Sequence, residues 1–450
     1  CFLGSVSACS VLIVRGFAEY FDYEVTSKVR TLTETPMPLP AVAVCISDQF
    51  ASASGKRFAR DHFQNFTGST QERVNHLNAL RQKAYSLSES EQRALGFNFS
   101  QMFLQCDLLM AKSSTTTSCA AYSAWFYNMV FGNCFALNLG LNERHERVEV
   151  LAAREGGFVD SLAFTLYLGD MHDLAASGDS FGARLFILNQ TELYADAGRD
   201  TSSRRRHHRI SVPFDRMTKI PAGTQTGIKL RKRVKRMLPH PYSECRERFD
   251  ESVYFTLLKQ STAAAYTQKN CMSLCYQRYI IDECRCFSPF FLHVADDDSH
   301  SATMRQCITP GDYACLYERY NAAKAELSAR CMPLCPTECE TAEFSLQLSY
   351  DTYPSPSLQF DALRNNSALR EHFSRSGREL TYENVRGSVA SAVIVYEELR
   401  YELVEEAPSK TMLGVFSDLG GTLGLFVGVS VLSFVELVEL LGEIVYSLAS

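Results

Sequence analysis

The sequence predicts an α+β membrane protein, in which two transmembrane helices enclose a large disulfide-rich extracellular domain. Three observations carry this reading. Both ends of the chain are apolar and nearly free of charge. Residues 23–412 between them hold 14 of the 16 cysteines. The same stretch holds all four glycosylation sequons, at Asn65, Asn98, Asn189 and Asn365. Dense cysteine is the mark of an oxidising compartment, and sequons are used on exposed loops of secreted or extracellular segments.

Composition narrows the class further. Lys and Arg number 45 against 51 Asp and Glu, a net charge of −6. That balance offers no concentrated positive field, so a nucleic-acid partner is not expected. Hydrophobic residues make up 46% and charged residues 21%, enough apolar side chain to build a core rather than a disordered chain.

The C-terminal segment gives the plainest signal. Leu419 to Val435 carries no charge over 17 residues; as a helix it is about 26 Å long, slightly short of a full crossing. Leu437, Val438, Leu440, Leu441, Ile444 and Val445 extend it, so the second span is placed at 413–448. Glu436, Glu439 and Glu443 fall three and four apart, on one helix face. Carboxylates there face protein or water rather than lipid; the plain alternative is a helix end leaving the headgroups. The first span is placed at 1–22. Its first 14 residues are uncharged, and Arg15 precedes an interfacial aromatic cluster of Phe17, Tyr20, Phe21 and Tyr23. The segment is short for a crossing, which predicts that a cytoplasmic tail and the top of the helix precede it. A signal peptide is the alternative, without the usual basic start. Both termini are then cytoplasmic, at the plasma membrane, with Cys1 and Cys9 as free thiols in the lipid.

The middle reads as helices segregated from sheet. Residues 41–50 predict a strand. Residues 69–109 predict helix, with Leu77, Leu80, Ala84 and Leu87 on one face and Leu95, Phe99, Met102 and Phe103 in a second run. Residues 157–240, 342–350 and 388–403 predict strands, and 251–284 and 312–330 predict helices. Arg204 to Arg209 reads as a solvated loop, with a protease site or an anion patch as the alternative. Lys229 to Arg236 reads as an exposed strand face.

The cysteine spacing argues against a metal centre. Cys271-x3-Cys275-x8-Cys284-x-Cys286 is followed by Cys307, Cys315, and Cys331-x3-Cys335-x3-Cys339. No CxxC pair of the zinc type occurs, so neither metal nor cofactor is expected. Two facing ladders of four-residue spacing would form a stiff, cross-braced rod, yet fourteen cysteines allow roughly 10⁵ connectivities and spacing does not choose among them. No nucleophile elbow, zinc-helix motif, phosphate loop or dinucleotide fingerprint occurs, so the chain is not expected to be an enzyme. A non-conducting two-span adhesion or binding receptor competes with a channel. Gly420, Gly421, Gly424 and Gly428 weigh toward the channel. Each costs about 1 kcal/mol in a helix interior and is repaid by close helix approach or by backbone carbonyls exposed at a break. A tight dimer interface without a pore is the alternative on these residues alone.

Six motifs, in order along nearly the whole chain, resemble the degenerin/epithelial sodium channel superfamily: LPAVAVC (39–45), GNCFALN (132–138), LPHPYSEC (238–245), the CxxxC-x8-CxC block, LRYE (399–402) and SDLGGTLGLFVGVSVLSFVELVE (417–439). The resemblance implies a homotrimer of fist-shaped subunits. Finger would cover 55–155, palm and β-ball strands 38–55, 157–245 and 340–410, thumb 251–340 and knuckle 360–380. It implies the pairs Cys45–Cys134, Cys106–Cys119, Cys245–Cys339, Cys271–Cys335, Cys275–Cys331, Cys284–Cys315 and Cys286–Cys307. Gly428, Val429 and Ser430 would form a selectivity filter for Na⁺ where the helix is interrupted, with amiloride as pore blocker. Asp418 would sit near the extracellular gate, Gly421 and Gly424 along the pore, and Glu436 and Glu439 at its lower end. Tyr23 would meet Tyr242 at the wrist, and Leu399 and Arg400 would lie in the gating linker.

The resemblance is greatest to the FMRFamide-gated branch. A small peptide bearing Phe and Arg would need aromatic pockets and a carboxylate. Phe97, Phe99, Phe103 and Asp107 of the aromatic-rich finger are the candidates, with packing into the finger core as the alternative for each ring. Acid-sensing members carry histidines above the first span, where this chain reads FDYEVTSKV (21–29). Acid sensing, or a constitutively active epithelial type suggested by the basic run at Arg204, remains the alternative.

Overall fold

A computed structural model describes the chain except residues 1, 63–69, 110–116, 145, 171–180, 191–193, 200–205, 213–215, 248–265, 289–290, 292–304, 306, 308, 429 and 450. Two sheets form the centre. The larger has seven strands, in the order β15 (Glu340–Thr352), β14 (Thr224–Arg236), β16 (Val389–Pro408), β9 (Ser161–Tyr167), β4 (Phe103–Leu109) and β5 (Thr117–Ser118), with β1 (Val25–Thr33) paired to the far half of β16. The smaller has five, in the order β13 (Met217–Ile220), β10 (Ala183–Leu188), β3 (Ala41–Ile46), β7 (Gly132–Leu137) and β6 (Ser123–Asn128). Among the described residues two short pairs complete the strands: β2 (Met37–Pro38) with β8 (Ala152–Ala153), and β11 (Tyr194–Arg199) with β12 (Arg206–Ser211).

The main core lies where the two sheets meet. Val42, Val44 and Phe135 of the smaller sheet join Phe103, Phe164 and Ile394 of the larger in one buried cluster. Each such side chain contributes roughly 1.5–3 kcal/mol by leaving water. AVAVCI (41–46) has no alternation because β3 is covered on both faces. Ala41, Ala43 and Cys45 point into a second cluster with Phe126 and Phe186. Tyr396 is buried but satisfied, its hydroxyl donating to the Pro38 carbonyl at 2.6 Å.

Helices decorate this frame in the predicted segregation. α2 (Ala53–His62), α3 (Thr70–Tyr85), α4 (Glu89–Leu95) and α5 (Phe99–Met102) occupy the finger region. Leu80, Ala84 and Leu95 form a small core there. Asn98 starts α5 with a reciprocal cap, its side chain accepting from Gln101 N while Gln101 accepts from Asn98 N. α6 (Gln268–Cys284) and α7 (Pro310–Cys331) form the thumb pair. α8 (Leu358–Arg364), α9 (Ser367–Ser376) and α10 (Tyr382–Arg386) follow β15. At the chain ends, α1 (Phe2–Phe21) packs beside α11 (Met412–Phe426), and α12 (Val431–Ala449) follows.

The seven disulfides join the same pairs that the resemblance implies. The thumb ladder is built less regularly than two facing helices. Cys331 is the last residue of α7, Cys335 lies past a 3₁₀ turn at Met332–Leu334, and Cys339 abuts β15. Cys271, Cys275 and Cys284 lie on α6 and Cys315 and Cys331 on α7, so two rungs, Cys275–Cys331 and Cys284–Cys315, join helix to helix.

Other expectations shift. The helical tract 69–109 ends at Met102, and 103–109 becomes β4, because Phe103, Cys106 and Leu108 complete the core of the larger sheet. The finger range 55–155 therefore overruns: β4, β6 and β7 belong to the two sheets. Helix is described from 268 onward, the earlier part of 251–284 lying outside the described residues. The second span, expected as 413–448, is two helices rather than one. Among the described residues no helix is long and apolar enough to cross a membrane by itself. α11 has 15 residues, and α12 carries Glu436, Glu439 and Glu443.

Candidate functional site

The C-terminal break is set by one residue. Gly428 has φ +77°, in the left-handed region open to glycine, and α11 ends just before it. Val427, Gly428 and Ser430 are not helical, so backbone groups on both sides lose their i→i−4 partners. Ser430 partly recovers one: its hydroxyl accepts from Ser433 N at 3.4 Å, starting α12. Val429 lies outside the described residues. Gly421 and Gly428 each face open space, with no atom within 4 Å of where a Cβ would stand. Packing within one chain therefore does not account for them. Glu436 and Glu439 are exposed on α12.

A single ammonium ties the C-terminal end of α1 to the N-terminal half of α11. Lys410 Nζ lies 2.8 Å from Glu19 and 3.3 Å from Asp418. Glu19 also pairs with Arg15 at 2.9 Å. The two carboxylates, Glu19 foremost, hold the Lys410 ammonium above the usual lysine range. Asp418 was legible in the sequence. Lys410 was not, because a lone lysine ahead of an apolar segment reads as an ordinary helix-end charge. Deeper between the same helices, Cys9 is buried and free, its Sγ 4.0 Å from the Thr422 carbonyl.

Tyr23 and Tyr242 meet where α1 enters β1, with ring centroids 5.5 Å apart and planes at 86°. Tyr23 takes a positive φ of 51°, turning the chain from helix to strand. The Leu399–Arg400 linker is a bulge in β16. Leu230 pairs with Tyr396 and Lys232 with Tyr401, so Arg231 alone faces residues 397–400 of β16. Arg231 is ion-paired to Glu397 and Arg233 to Glu402 across the bulge. On the other edge, Glu34 N donates to the Leu399 carbonyl at 3.1 Å. Gly156 approaches here: a Cβ would stand 3.3 Å from the Glu397 carbonyl.

The four finger candidates are not brought together as a pocket. Phe97 and Phe103 are buried in the core. Phe99 stacks on Phe103 at 4.4 Å and meets Phe135 edge to face at 5.4 Å. Asp107 faces away from these rings, into a cleft on the opposite side of the sheet. The sequon asparagines also differ. Asn98 and Asn365 are exposed, Asn189 donates its amide to the Ala342 carbonyl at 2.7 Å, and Asn65 lies outside the described residues.

The chain is thus a cysteine-braced α+β domain whose two ends run side by side as apolar helices, the second broken at a left-handed glycine. The family model described as "Amiloride-sensitive sodium channel" matches residues 1–440, and the chain belongs to that family. The family is one of ion channels, not of enzymes. The chain is 23% identical over 365 residues to a degenerin-like protein of Caenorhabditis elegans, covering 79% of this chain and 36% of the relative. It is 25% identical to the mouse epithelial sodium channel α subunit, over 83% of this chain and 46% of the subunit. It is 23% identical to the human bile acid-sensitive ion channel, over 98% and 79% respectively. The chain thus spans less than half the length of the first two. A proton-activated chloride channel structure aligns over 98% of this chain and 96% of its own at TM-score 0.34 and 7% identity, too low a likeness to carry an argument.

Proposed function

We propose that this chain is a subunit of a trimeric, amiloride-sensitive, sodium-selective channel of the plasma membrane, with both termini cytoplasmic and its pore lined by residues 413–448. The observation that carries the reading is the break at Gly428. It interrupts an otherwise apolar helical tract where the GxS motif stands, and frees backbone carbonyls of the kind that coordinate cations. Asp418 and Lys410 would mark the outer mouth, and Glu436 and Glu439 the inner end. The bulge at Leu399–Arg400 and the Tyr23–Tyr242 contact would pass movement of the ectodomain to the helices.

For the stimulus we retain an FMRFamide-like neuropeptide, on the resemblance and the carboxylate of Asp107. The rings of Phe97, Phe99 and Phe103 supply core packing, so the peptide site lies elsewhere or needs rearrangement of the finger. Relatives that are epithelial or bile acid-sensitive channels favour a second reading, a family channel opened by acid or bile acid or active without a stimulus. Voltage clamp of cells expressing the full-length protein separates them. FMRFamide should evoke an inward Na⁺ current blocked by amiloride. Current with acid, with bile acid or with no stimulus would move the chain to the second reading. No current in any condition, with the protein at the surface, would refute the channel.

A further inference from the structure

The face of the larger sheet turned away from the core holds a cleft of which the channel reading uses only the Asp107 carboxylate. The cleft, of about 250 Å³, opens between this face and the α8–α9 segment. Strand alternation explains its floor. On β4, Cys106 and Leu108 point into the core while Gln105 and Asp107 point out; on β9, Phe164 points in while Ala163 and Thr165 point out.

Register then aligns these outward residues across four strands. Gln105 pairs with Thr165, Thr165 with Ser391, and Ser391 with Gln225, forming one polar row. The next row runs Asp107, Ala163, Val393, Gly227. It is low in the middle because Ala163 is small. Ala362 keeps the facing wall low as well.

The walls are held in place by their own bonds. Thr165 Oγ1 and the Tyr353 hydroxyl lie 3.0 Å apart. Asn366 donates to the Leu104 carbonyl at 2.9 Å while capping α9 at Leu369 N. Gln359 accepts from Ser355 N at 2.7 Å. Gln105 donates to Asp107 Oδ2 at 2.8 Å, which fixes the carboxylate and leaves the Gln105 carbonyl oxygen as a further acceptor. Among the described residues lining the cleft, Asp107 alone is charged.

We propose that this cleft is a binding site for a small primary amine carrying a polar tail. Its ammonium would sit on Asp107, and its tail would lie along the Gln105–Thr165–Ser391–Gln225 row. An ammonium has three donors and no acceptor, which suits one carboxylate flanked by amide and hydroxyl oxygens. A volume near the lower end of ligand pockets, which run from about 300 Å³, restricts the occupant to a small molecule. One carboxylate is too few for a calcium site, which takes about 6–8 oxygen ligands.

The test reads binding without current, so it stands or falls apart from the channel reading. Full-length protein in nanodiscs is titrated with 4-amino-1-butanol, and with 1,4-butanediol as its uncharged isostere, by saturation-transfer NMR. The amine should give a saturable signal, with the diol at least about tenfold weaker, the difference expected for one charge-assisted contact. Asp107→Asn should abolish the preference for the amine. Ala362→Leu, a change on the exposed side of α8, should abolish binding of both by filling the cleft. No saturable amine signal, equal binding of the diol, a preference for the amine that survives Asp107→Asn, or binding that survives Ala362→Leu in protein with an unchanged thermal midpoint overturns the proposal.

Discussion

Tyr23 and Tyr242 stand edge to face, 5.5 Å between centroids, at the point where the first helix becomes the first strand. Such a pair is worth about 0.5–1.5 kcal/mol beyond its buried area. Tyr23→Ala and Tyr242→Ala should each reduce peak current while leaving surface expression unchanged. The double variant should be no worse than either single. Additive losses would show that the rings act separately.

Lys410 makes a different kind of link, through charge. In a Cys1→Ser background, Lys410→Glu would put three carboxylates together and part α1 from α11. Cys9, buried between these helices, should then react faster with a membrane-permeant maleimide than it does with Lys410 in place. An unchanged rate would mean that the ammonium does not hold the helices.

Ser430 starts α12 beside the glycine break. Ser430→Cys should alter amiloride block or the Li⁺/Na⁺ permeability ratio with normal surface expression. Gly428→Ala, which must adopt positive φ at about 1–2 kcal/mol, should reduce current more severely. Wild-type permeation in both would remove the break from the conduction path.

The sequons should separate by their amide nitrogens. Asn98→Gln and Asn365→Gln should each lose one glycosidase-sensitive step in gel mobility. Asn189→Gln should lose none, since that nitrogen is engaged by the Ala342 carbonyl. A mobility step at Asn189 would mean that this bond opens during maturation.

His372 predicts a pH effect on stability. It stacks on Tyr167 at 4.0 Å, and its Nε2 bonds the Gln101 carbonyl at 3.0 Å, tying α9 to α5. Burial pushes its pKa below the usual histidine value of 6.5. The unfolded chain therefore takes up the proton first as pH falls. Stability from this group is whole above about pH 6.5 and is lost as pH drops from there toward the depressed folded value. His372→Gln should flatten the fall in thermal midpoint between pH 7 and pH 5.5. An equal fall in both proteins would assign the effect to other groups.

Much of this was written locally. Glycine at 428 breaks a helix wherever it stands at positive φ, apolar runs at 41–46 and 389–396 pack as strands, and the six ordered motifs carried the cysteine pairs and the tyrosine contact. These signals depend on a few neighbouring residues or on an inherited pattern, so a single sequence displays them. The remaining features depend on long-range register. Phe99 and Phe103 share helical spacing in the sequence, yet Phe103 belongs to a strand because the larger sheet required its ring. Lys410 gained two carboxylates only when residues 19 and 418 were brought together. Gln105, Thr165, Ser391 and Gln225 form one row only because four distant strands pair in one register, which no local pattern of residues encodes.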